Sequence, residues 1–260
     1  MQIFLINLAR RPDRLAAMTE AARRLGLNFT RMEALDAKIA GGLQDQFDDK
    51  GPLGEIPRGD KACLLSHRAA WDAFMAGGDE FAAVLEDDVI LSPSAARFLQ
   101  NADWLPPGTD LVKLEQYGPP GQSVLLSDFR DAGEGFRIAR MHSRHTGAAA
   151  YILSRRAAQI LLAERHFNLP VDHLLFNSNN SRLFARLSPW QLLPAVARQR
   201  EFVGAASDIE GTRVALRKWS LTYMQRELIR FGYDLKLLPR QLALVISGKA
   251  RFTRIGTEDS

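Results

Sequence analysis

Hydrophobic positions recur at two different spacings along the chain, and the change of spacing separates predicted strands from predicted helices. Residues 2–8 are a short apolar run rich in branched side chains, whereas residues 9–25 repeat apolar positions at helical spacing among arginines. A second strand is predicted at residues 28–34. Residues 41–60 are rich in turn-forming residues and show no periodicity, so we expect a surface loop there.

The middle of the chain continues this alternation of helix and strand. Asp60 is predicted to cap a helix over residues 61–76, which ends at a pair of glycines. The apolar run 81–85 predicts a buried strand that stops at three consecutive acids, and residues 89–91 predict a short strand after them. Carboxylates are therefore expected where a strand leaves the core.

Further strands are predicted at residues 110–114 and 148–153, with a variable β-rich region over residues 124–141. Ser154 is predicted to cap a helix that runs to about residue 164. Strands that alternate with helices indicate an α/β fold with a mainly parallel central sheet, whose ligands bind beyond the carboxyl ends of the strands.

Bulk composition favours a folded protein without a membrane span. The 260 residues are 46% hydrophobic and include one cysteine, Cys63, which leaves no internal disulfide to form. The N-terminus resembles a strand rather than a signal peptide, and we find no run of about 18 apolar residues. We therefore expect a cytoplasmic protein, either soluble or peripheral on the inner face of the membrane.

Positive charge is concentrated near the C-terminus. Residues 213–254 contain ten Lys and Arg residues and two acids, with apolar residues interleaved among them. We therefore divide the chain into an α/β domain over residues 1–212 and a basic helical extension over residues 213–260. Such helices suit an anionic membrane surface, although a subdomain with a solvated basic face is the alternative. No nucleic-acid-binding motif accompanies the charge, so nucleic acid is not an expected partner.

The acids Glu86, Asp87 and Asp88 are the main candidates for chemistry. Adjacent carboxylates repel one another unless they are solvated, hydrogen-bonded or bound to a cation. Mg²⁺ and Mn²⁺ prefer oxygen ligands, and in an extended segment Glu86 and Asp88 would point to one side with Asp87 opposite. An ordinary acidic turn is the competing interpretation.

Four sequence blocks stand out along the chain: FLINLARRPDR (4–14), GEIPRGDKACLLSHRAAW (54–71), AAVLEDDVIL (82–91) and GAAAYILSRRAAQILL (147–162). A weaker fifth block, PVDHLLF, covers residues 170–176. In sequence and in order, the four blocks resemble glycosyltransferase family 25, which includes lipopolysaccharide-biosynthesis enzymes and collagen galactosyltransferases. The family usually continues Gly-Glu-Ile directly into Gly or Ala and Cys, whereas Pro57 to Lys61 intervene here, and we therefore assign Glu55 no function.

The resemblance implies a GT-A-type fold, a UDP-sugar donor, inversion at the anomeric carbon and often Mn²⁺. On that basis we expect transfer of a hexose, galactose or glucose, to a saccharide acceptor of a bacterial lipopolysaccharide or other envelope glycan, in some cases lipid-linked. Mn²⁺ or Mg²⁺ held by Glu86 and Asp88 would neutralise the charge that develops on the departing UDP.

Other residues of the matching blocks are predicted to contact the donor. Arginine forks suit diphosphate oxygens, and an amide at the end of the first strand suits uracil or ribose. The predicted donor-binding residues are Asn7, Arg11, Arg14, Ser66, His67, Glu86 and Asp87. For the arginines, a solvated helix face is the alternative.

Inverting transfer also needs a base to accept the proton of the acceptor hydroxyl, and Asp172 is the predicted one. Its position also suits a helix N-cap. Asp110 and Glu115 are reserve candidates. His145 and Thr146 precede a matching block and are predicted to line the donor sugar, with a surface loop as the alternative for His142 and His145.

Two rival functions fit parts of the pattern. A nucleotidyltransferase also places acids at a strand end around Mg²⁺, but it needs a Gly-rich loop with a lysine where this chain has ARRPDR at residues 9–14. A non-enzymatic basic module that binds membranes is the second rival, and in it the acidic cluster would be structural.

Overall fold

A mixed β-sheet flanked by helices forms the centre of the computed structural model, which describes residues 1–118, 122–200 and 221–258. The strands are β1 (Gln2–Asn7), β2 (Thr30–Glu33), β3 (Phe81–Glu86), β4 (Val89–Leu91), β5 (Leu111–Lys113), β6 (Glu115–Gln116), β7 (Ser123–Gly133), β8 (Phe136–Met141), β9 (Ala150–Ser154), β10 (Trp190–Leu193), β11 (Ala197–Gln199) and β12 (Ala250–Arg254). The helices are α1 (Pro12–Leu25), α2 (Arg58–Ala76), α3 (Ala95–Gln100), α4 (Arg155–Leu162), α5 (Val171–Phe176), α6 (Phe184–Leu187) and α7 (Leu221–Ile246), with a 3-10 helix at Leu43–Gln46.

The predicted α/β class is confirmed. The main sheet has the order β12-β7-β8-β10-β5-β9-β3-β1-β2 within the described residues. Its β2-β1-β3 core is parallel, as predicted, whereas β9 runs antiparallel between β3 and β5. A second sheet has the order β4-β11-β6, and its strand β4 begins immediately after the acidic residues. Burial on both faces hides strand direction from the sequence pattern, because every residue of β9 is buried whichever way the strand runs.

Parallel pairing of β1 with β3 places the acidic residues beside the end of the first strand. Ile6 lies opposite Glu86 in this pairing, so Asn7 and Asp87 follow as neighbours. The carboxyl ends of parallel strands meet at one edge of the sheet, where α1 also begins. This edge carries the candidate site.

Two helix starts differ from the predictions. Helix α1 begins at Pro12 rather than at residue 9, because proline suits the first helical position. Helix α2 begins at Arg58, and Pro57 occupies its N-cap. The predicted capping role of Asp60 is therefore wrong, since Asp60 lies within the first turn. The predicted cap at Ser154 is confirmed, because its hydroxyl accepts a hydrogen bond from the Ala157 amide at 3.0 Å.

Both faces of the main sheet are covered by buried side chains. Helix α2 contributes Trp71 and Phe74 to one layer, and α3 contributes Phe98 to the other. All three are fully buried. Burying a large apolar side chain contributes about 1.5–3 kcal/mol, so these layers hold the strand ends in fixed positions.

The C-terminal segment is helical only in part. Helix α7 lies inside the predicted basic helical extension, but residues 250–254 form β12, which pairs antiparallel with β7 at the edge of the main sheet. The prediction of helix is therefore wrong for these residues. The predicted domain boundary at residue 212 and Arg213, Arg217 and Lys218 lie outside the described residues. Among the described helices, none has the length and apolar character needed to cross a bilayer.

Candidate active site

The three acids lie at a turn rather than in an extended segment. Strand β3 ends at Glu86, and Asp87 and Asp88 form the turn that leads into β4. The expectation that Asp87 points away from its neighbours is therefore wrong, and all three acids line one cavity.

Asp87 is held in place by two residues from the first matching block. The Asn7 side-chain amide donates to Asp87 Oδ2 at 2.7 Å, and Arg14 Nη1 donates to Asp87 Oδ1 at 3.1 Å. Asn7 also donates to the Arg11 carbonyl oxygen and accepts from Arg31 Nε at 3.0 Å. The Asn7 side chain, which is 1% exposed, thus positions Asp87 and is not among the cavity-lining residues.

Asp88 is the acid with the most unusual surroundings. Arg14 Nη1 lies 3.5 Å from Asp88 Oδ2, whereas Asp88 Oδ1 is buried without a hydrogen-bond partner among the described residues. Burial, and next the charge of Glu86, raise the pKa of Asp88 to about 8, against an opposing effect of Arg14. A bound cation would remove this conflict.

Glu86 lies between the acidic turn and helix α2. His67 Nε2 is 3.0 Å from Glu86 Oε1, and Cys63 Sγ donates weakly to the same oxygen at 3.8 Å. The Glu86 side chain remains 24% exposed on the cavity, whereas His67 is fully buried. The predicted donor-binding residue His67 therefore contacts Glu86 and does not itself line the cavity.

A cavity of about 570 Å³ opens in front of the acids. Its wall combines apolar residues with four cationic side chains and four carboxylates. The charged side chains that line it are Arg10, Arg14, Lys38, Arg58, Asp36, Glu86, Asp87 and Asp88. This volume lies within the range of small-molecule sites, and its mixture of opposite charges suits a ligand that is both anionic and polar.

Ser66 and Arg11 have local partners in the structure. The Ser66 hydroxyl lines the cavity, but it donates to the Ala62 carbonyl at 2.8 Å and accepts from the Leu35 amide at 2.9 Å. Arg11 makes a two-pronged contact with Asp13 and is not among the lining residues. The structure therefore brings Arg14, Ser66, Glu86 and Asp87 to the cavity, and not Arg11.

Four charged residues line the cavity but are not among the predicted site residues: Arg10, Asp36, Lys38 and Arg58. Asp36 receives a hydrogen bond from Arg10 Nε at 2.7 Å, and the guanidinium of Arg58 donates to the carbonyls of Ala37 and Ala40. Lys38 lies on the same loop, after β2. No periodic signal marks this loop, and Arg58 belongs to the stretch where the chain departs from the family pattern.

The acids at the turn fit a divalent cation of the Mg²⁺ or Mn²⁺ type. Glu86 and Asp88 offer oxygen atoms, and Asp88 Oδ1 has an unsatisfied acceptor. Cys63 Sγ, His67 Nε2 and a Glu86 oxygen also lie within 4.8 Å of one another, a set that suits Zn²⁺ instead. Burial, followed by the charge of Glu86, raises the pKa of the Cys63 thiol in the metal-free protein. We consider the carboxylates the better ligands, because Asp88 Oδ1 has no partner among the described residues, whereas His67 is fully buried.

The candidate bases differ in position. Asp172 lies in the first turn of α5, and its side chain is 16% exposed; Pro170 is the N-cap, so the capping interpretation of Asp172 is wrong. Its charge contributes to the raised pKa of the Cys63 thiol, whose sulfur lies 3.8 Å from Glu86 Oε1. Asp110 instead accepts from the Ser154 hydroxyl at the far end of β3, about 17 Å away along the strand.

Glu115 is close to the site but fully enclosed. Its Oε1 accepts from Lys113 Nζ at 2.7 Å and from the Ala149 amide at 2.9 Å, and both charged side chains are 0% exposed. Burial is the main cause that raises the pKa of Glu115 and lowers that of Lys113. Such a buried pair costs desolvation energy and fixes the end of β5 relative to residue 149.

His145 is a core residue rather than a surface residue. It is 0% exposed, its Nδ1 lies 2.9 Å from Gln191 Oε1, and its Nε2 accepts from the Tyr117 amide at 3.2 Å. Burial lowers its pKa to about 3, so the ring is neutral. The surface-loop interpretation is therefore wrong for His145. The next residue, Thr146, is half-buried.

Comparison with known proteins shows which protein family this chain matches. Residues 1–175 match the sequence profile of glycosyltransferase family 25 (LPS biosynthesis protein). The chain is 29% identical over 218 residues to the lacto-N-neotetraose biosynthesis glycosyltransferase LgtB of Neisseria meningitidis, across 76% of this chain and 74% of LgtB. It is 32% identical over 136 residues to the lipooligosaccharide biosynthesis protein lex-1 of Haemophilus influenzae, across 47% of this chain and 43% of lex-1.

Among solved structures, a glycosyltransferase involved in glycosylation of the major capsid of PBCV-1 aligns with a TM-score of 0.41 and 11% identity, over 90% of this chain and 100% of that chain. The family match covers well over half of the 260 residues and includes every acid of the turn. The chain therefore belongs to glycosyltransferase family 25 and is a glycosyltransferase of the lipopolysaccharide-biosynthesis type.

Proposed function

We propose that this protein is an inverting enzyme that transfers a hexose, galactose or glucose, from a UDP-sugar to a saccharide acceptor of a bacterial lipopolysaccharide, on a GT-A-type fold. The observation that carries the proposal is the acidic turn, with its unsatisfied Asp88 oxygen, at the end of a cavity of about 570 Å³ lined by cationic side chains. Mn²⁺ or Mg²⁺ would be held by Glu86 and Asp88. A nucleotidyltransferase is disfavoured because ARRPDR, and not a glycine-rich loop, follows β1.

Charge balance explains why a cation is needed with this donor. The acidic turn would repel a diphosphate, and Arg14 is shared between Asp87 and Asp88. Arg10, Lys38 and Arg58 also line the cavity, where they would attract the diphosphate oxygens. When bound, the cation supplies a Lewis acid that stabilises the charge developing on the leaving diphosphate.

The chain's own residues would perform the remaining steps. Asp172 accepts the proton of the acceptor hydroxyl as its oxygen attacks the anomeric carbon from the face opposite the diphosphate. The anomeric carbon–oxygen bond breaks, and its electron pair leaves on UDP. Arg14 keeps Asp87 and Asp88 in place throughout, since it contacts both. Inversion follows because a single displacement occurs.

A panel of UDP-sugars tests this proposal directly. We expect UDP release from UDP-galactose or UDP-glucose that requires Mn²⁺ or Mg²⁺ and rises when a terminal-saccharide acceptor is added. Nuclear magnetic resonance of the product would show the anomeric configuration opposite to that of the donor. Metal-independent release, or retention of configuration, would contradict the mechanism. Nucleotide transfer from a UTP substrate would favour the rival class.

We also propose that the C-terminal segment binds an anionic membrane surface near a lipid-linked acceptor. Helix α7 exposes large apolar side chains at spacings of three and four residues, which places them on one face. These exposed residues are Leu235, Leu238, Leu242, Val245 and Ile246. Exposed Lys236, Arg240 and Lys249 lie in the same segment, and residues 235–257 contain no acid. Each Lys or Arg near such a surface contributes on the order of 1 kcal/mol.

The combined Leu238→Ser and Leu242→Ser variant should lose at least about tenfold in affinity for phosphatidylglycerol vesicles, because about 3 kcal/mol of apolar burial is removed. Ile39→Ser is the matched control, since Ile39 is 86% exposed but lies outside α7. Co-sedimentation measures both variants. Equal binding of the double variant and the wild type, or equal binding to phosphatidylcholine and phosphatidylglycerol, would contradict the membrane proposal.

A further inference from the structure

A chain of three hydrogen bonds links the interior of the protein to Glu86. Trp71 Nε1 donates to the Tyr151 hydroxyl at 2.8 Å, this hydroxyl lies 2.9 Å from His67 Nδ1, and His67 Nε2 lies 3.0 Å from Glu86 Oε1. Trp71, Tyr151 and His67 are each 0% exposed. The proposed function uses Glu86 but assigns no role to the other three residues.

The chemistry of the two end residues sets the direction of the bonds. An indole N–H can only donate, so the Tyr151 oxygen accepts from Trp71. A carboxylate at Glu86 can only accept, so His67 Nε2 donates to it. A neutral imidazole then carries its one hydrogen on Nε2, and Nδ1 accepts the single phenolic hydrogen. Burial raises the pKa of Tyr151 well above its usual value, so the phenol retains the hydrogen that it donates.

The fold fixes the positions of these groups. His67 and Trp71 are four residues apart on α2 and share one face of the helix. Tyr151 lies opposite Val84 in the pairing of β9 with β3, and Val84 precedes Glu86 by two residues. The His67 and Tyr151 rings stack with centroids 5.7 Å apart. Rotation of the imidazole is therefore opposed by packing and by a hydrogen bond at each nitrogen.

We propose that Trp71 and Tyr151 are positioning residues, which hold His67 with its Nε2–H toward Glu86 so that one carboxylate oxygen is fixed and the other is presented to the cavity. This inference rests on the proposed function, because it concerns the orientation of a carboxylate that binds the donor complex. Partners of this kind typically change metal affinity by about 10- to 100-fold when they are removed.

Nitrogen NMR of the metal-free protein tests the orientation without any activity assay. Long-range ¹H–¹⁵N spectra should show His67 with Nε2 protonated and Nδ1 unprotonated. The His67 signals are assigned by their absence from the spectrum of the His67→Gln variant. Tyr151→Phe should convert His67 into a mixture of tautomers. Ser127→Ala is the matched control, because it removes a hydroxyl 2.7 Å from another histidine, His142, and should leave the His67 signals unchanged. A wild-type His67 protonated on Nδ1, as a Zn²⁺ ligand would be, overturns the proposal.

A double-mutant cycle separates positioning from a general loss of stability. Tyr151→Phe should weaken the binding of UDP with Mn²⁺ by about tenfold, as measured by calorimetry, and should lower kcat/KM by a similar factor. In the His67→Gln background the glutamine amide still donates to Glu86 but no longer depends on Tyr151, so Tyr151→Phe should have little further effect. Additive losses overturn the positioning role. If the wild-type protein binds no UDP with Mn²⁺, the proposed function and this role in donor binding are both refuted. The tautomer spectra test the hydrogen-bond chain independently of that result.

Discussion

Metal-dependent binding of the UDP donor is expected to disappear when Asp88 is replaced by alanine. Asp88 Oδ1 is a buried acceptor that lacks a partner among the described residues, and Glu86 alone would leave one carboxylate for the cation. We expect donor affinity in the presence of Mn²⁺ to fall by on the order of 100-fold or more, because ligand removal exceeds the effect of losing an outer partner. Calorimetric titration with UDP and Mn²⁺ measures this loss.

The fold should survive this substitution. Asp103→Ala provides a matched control, since Asp103 is an exposed acid in the loop after α3 and should leave donor affinity unchanged. Circular dichroism and thermal unfolding of both variants would establish that the backbone is intact. Undiminished donor affinity of Asp88→Ala with Mn²⁺ would show that the cation, if one binds, is held elsewhere.

The same variant should alter the pH dependence of stability in the metal-free protein. The folded-state pKa of Asp88 is raised to about 8 from the ordinary value of 3.8, so the folded protein binds the extra proton between these values. Stability should therefore fall as pH rises from about 4 to 8, and Asp88→Ala should fall less steeply. Urea unfolding at pH 5 and pH 8 compares the two slopes. Parallel slopes would indicate that Asp88 ionises at its ordinary pKa in the folded state.

The general location of the candidate site was predictable from the sequence. Consecutive acids after an apolar run identify a strand end, and parallel pairing of two such strands places Asn7 beside Asp87. Arg14 and His67, which lie in two of the matching blocks, were predicted to contact the donor. Both are in contact with the acidic turn in the structure, at 3.1 Å and 3.0 Å.

What each side chain does at the site was not predictable. Asn7 was expected to contact the donor, but its amide is committed to Asp87, because the strand register and not the residue type decides its partner. The Tyr151–His67 contact joins positions 84 residues apart, through a strand whose direction no periodicity reveals. The loop with Asp36 and Lys38 reaches the cavity through tertiary packing, which local patterns do not encode.

Turnover is expected to fall by about 10²- to 10⁴-fold in Asp172→Asn, while donor binding stays within about twofold of the wild type. Asparagine keeps the shape of the side chain but cannot accept the proton of the acceptor hydroxyl. Asp172 is not among the cavity-lining residues, so the loss of its charge should affect kcat and not the affinity for UDP. Initial rates with saturating donor, together with calorimetry, separate these two quantities.

Glu115→Gln distinguishes the base from a structural acid. Because Glu115 is buried against Lys113, its neutralisation leaves an unpaired buried charge and should cost about 3–5 kcal/mol of stability, which appears as a lower melting temperature. Asp172 is not the N-cap of α5, and asparagine keeps the shape of its side chain, so Asp172→Asn should melt close to the wild type. Full turnover in Asp172→Asn, combined with an inactive but normally stable Glu115→Gln, would transfer the role of base to Glu115. The pairing of activity with stability in the two variants therefore identifies which carboxylate takes the proton.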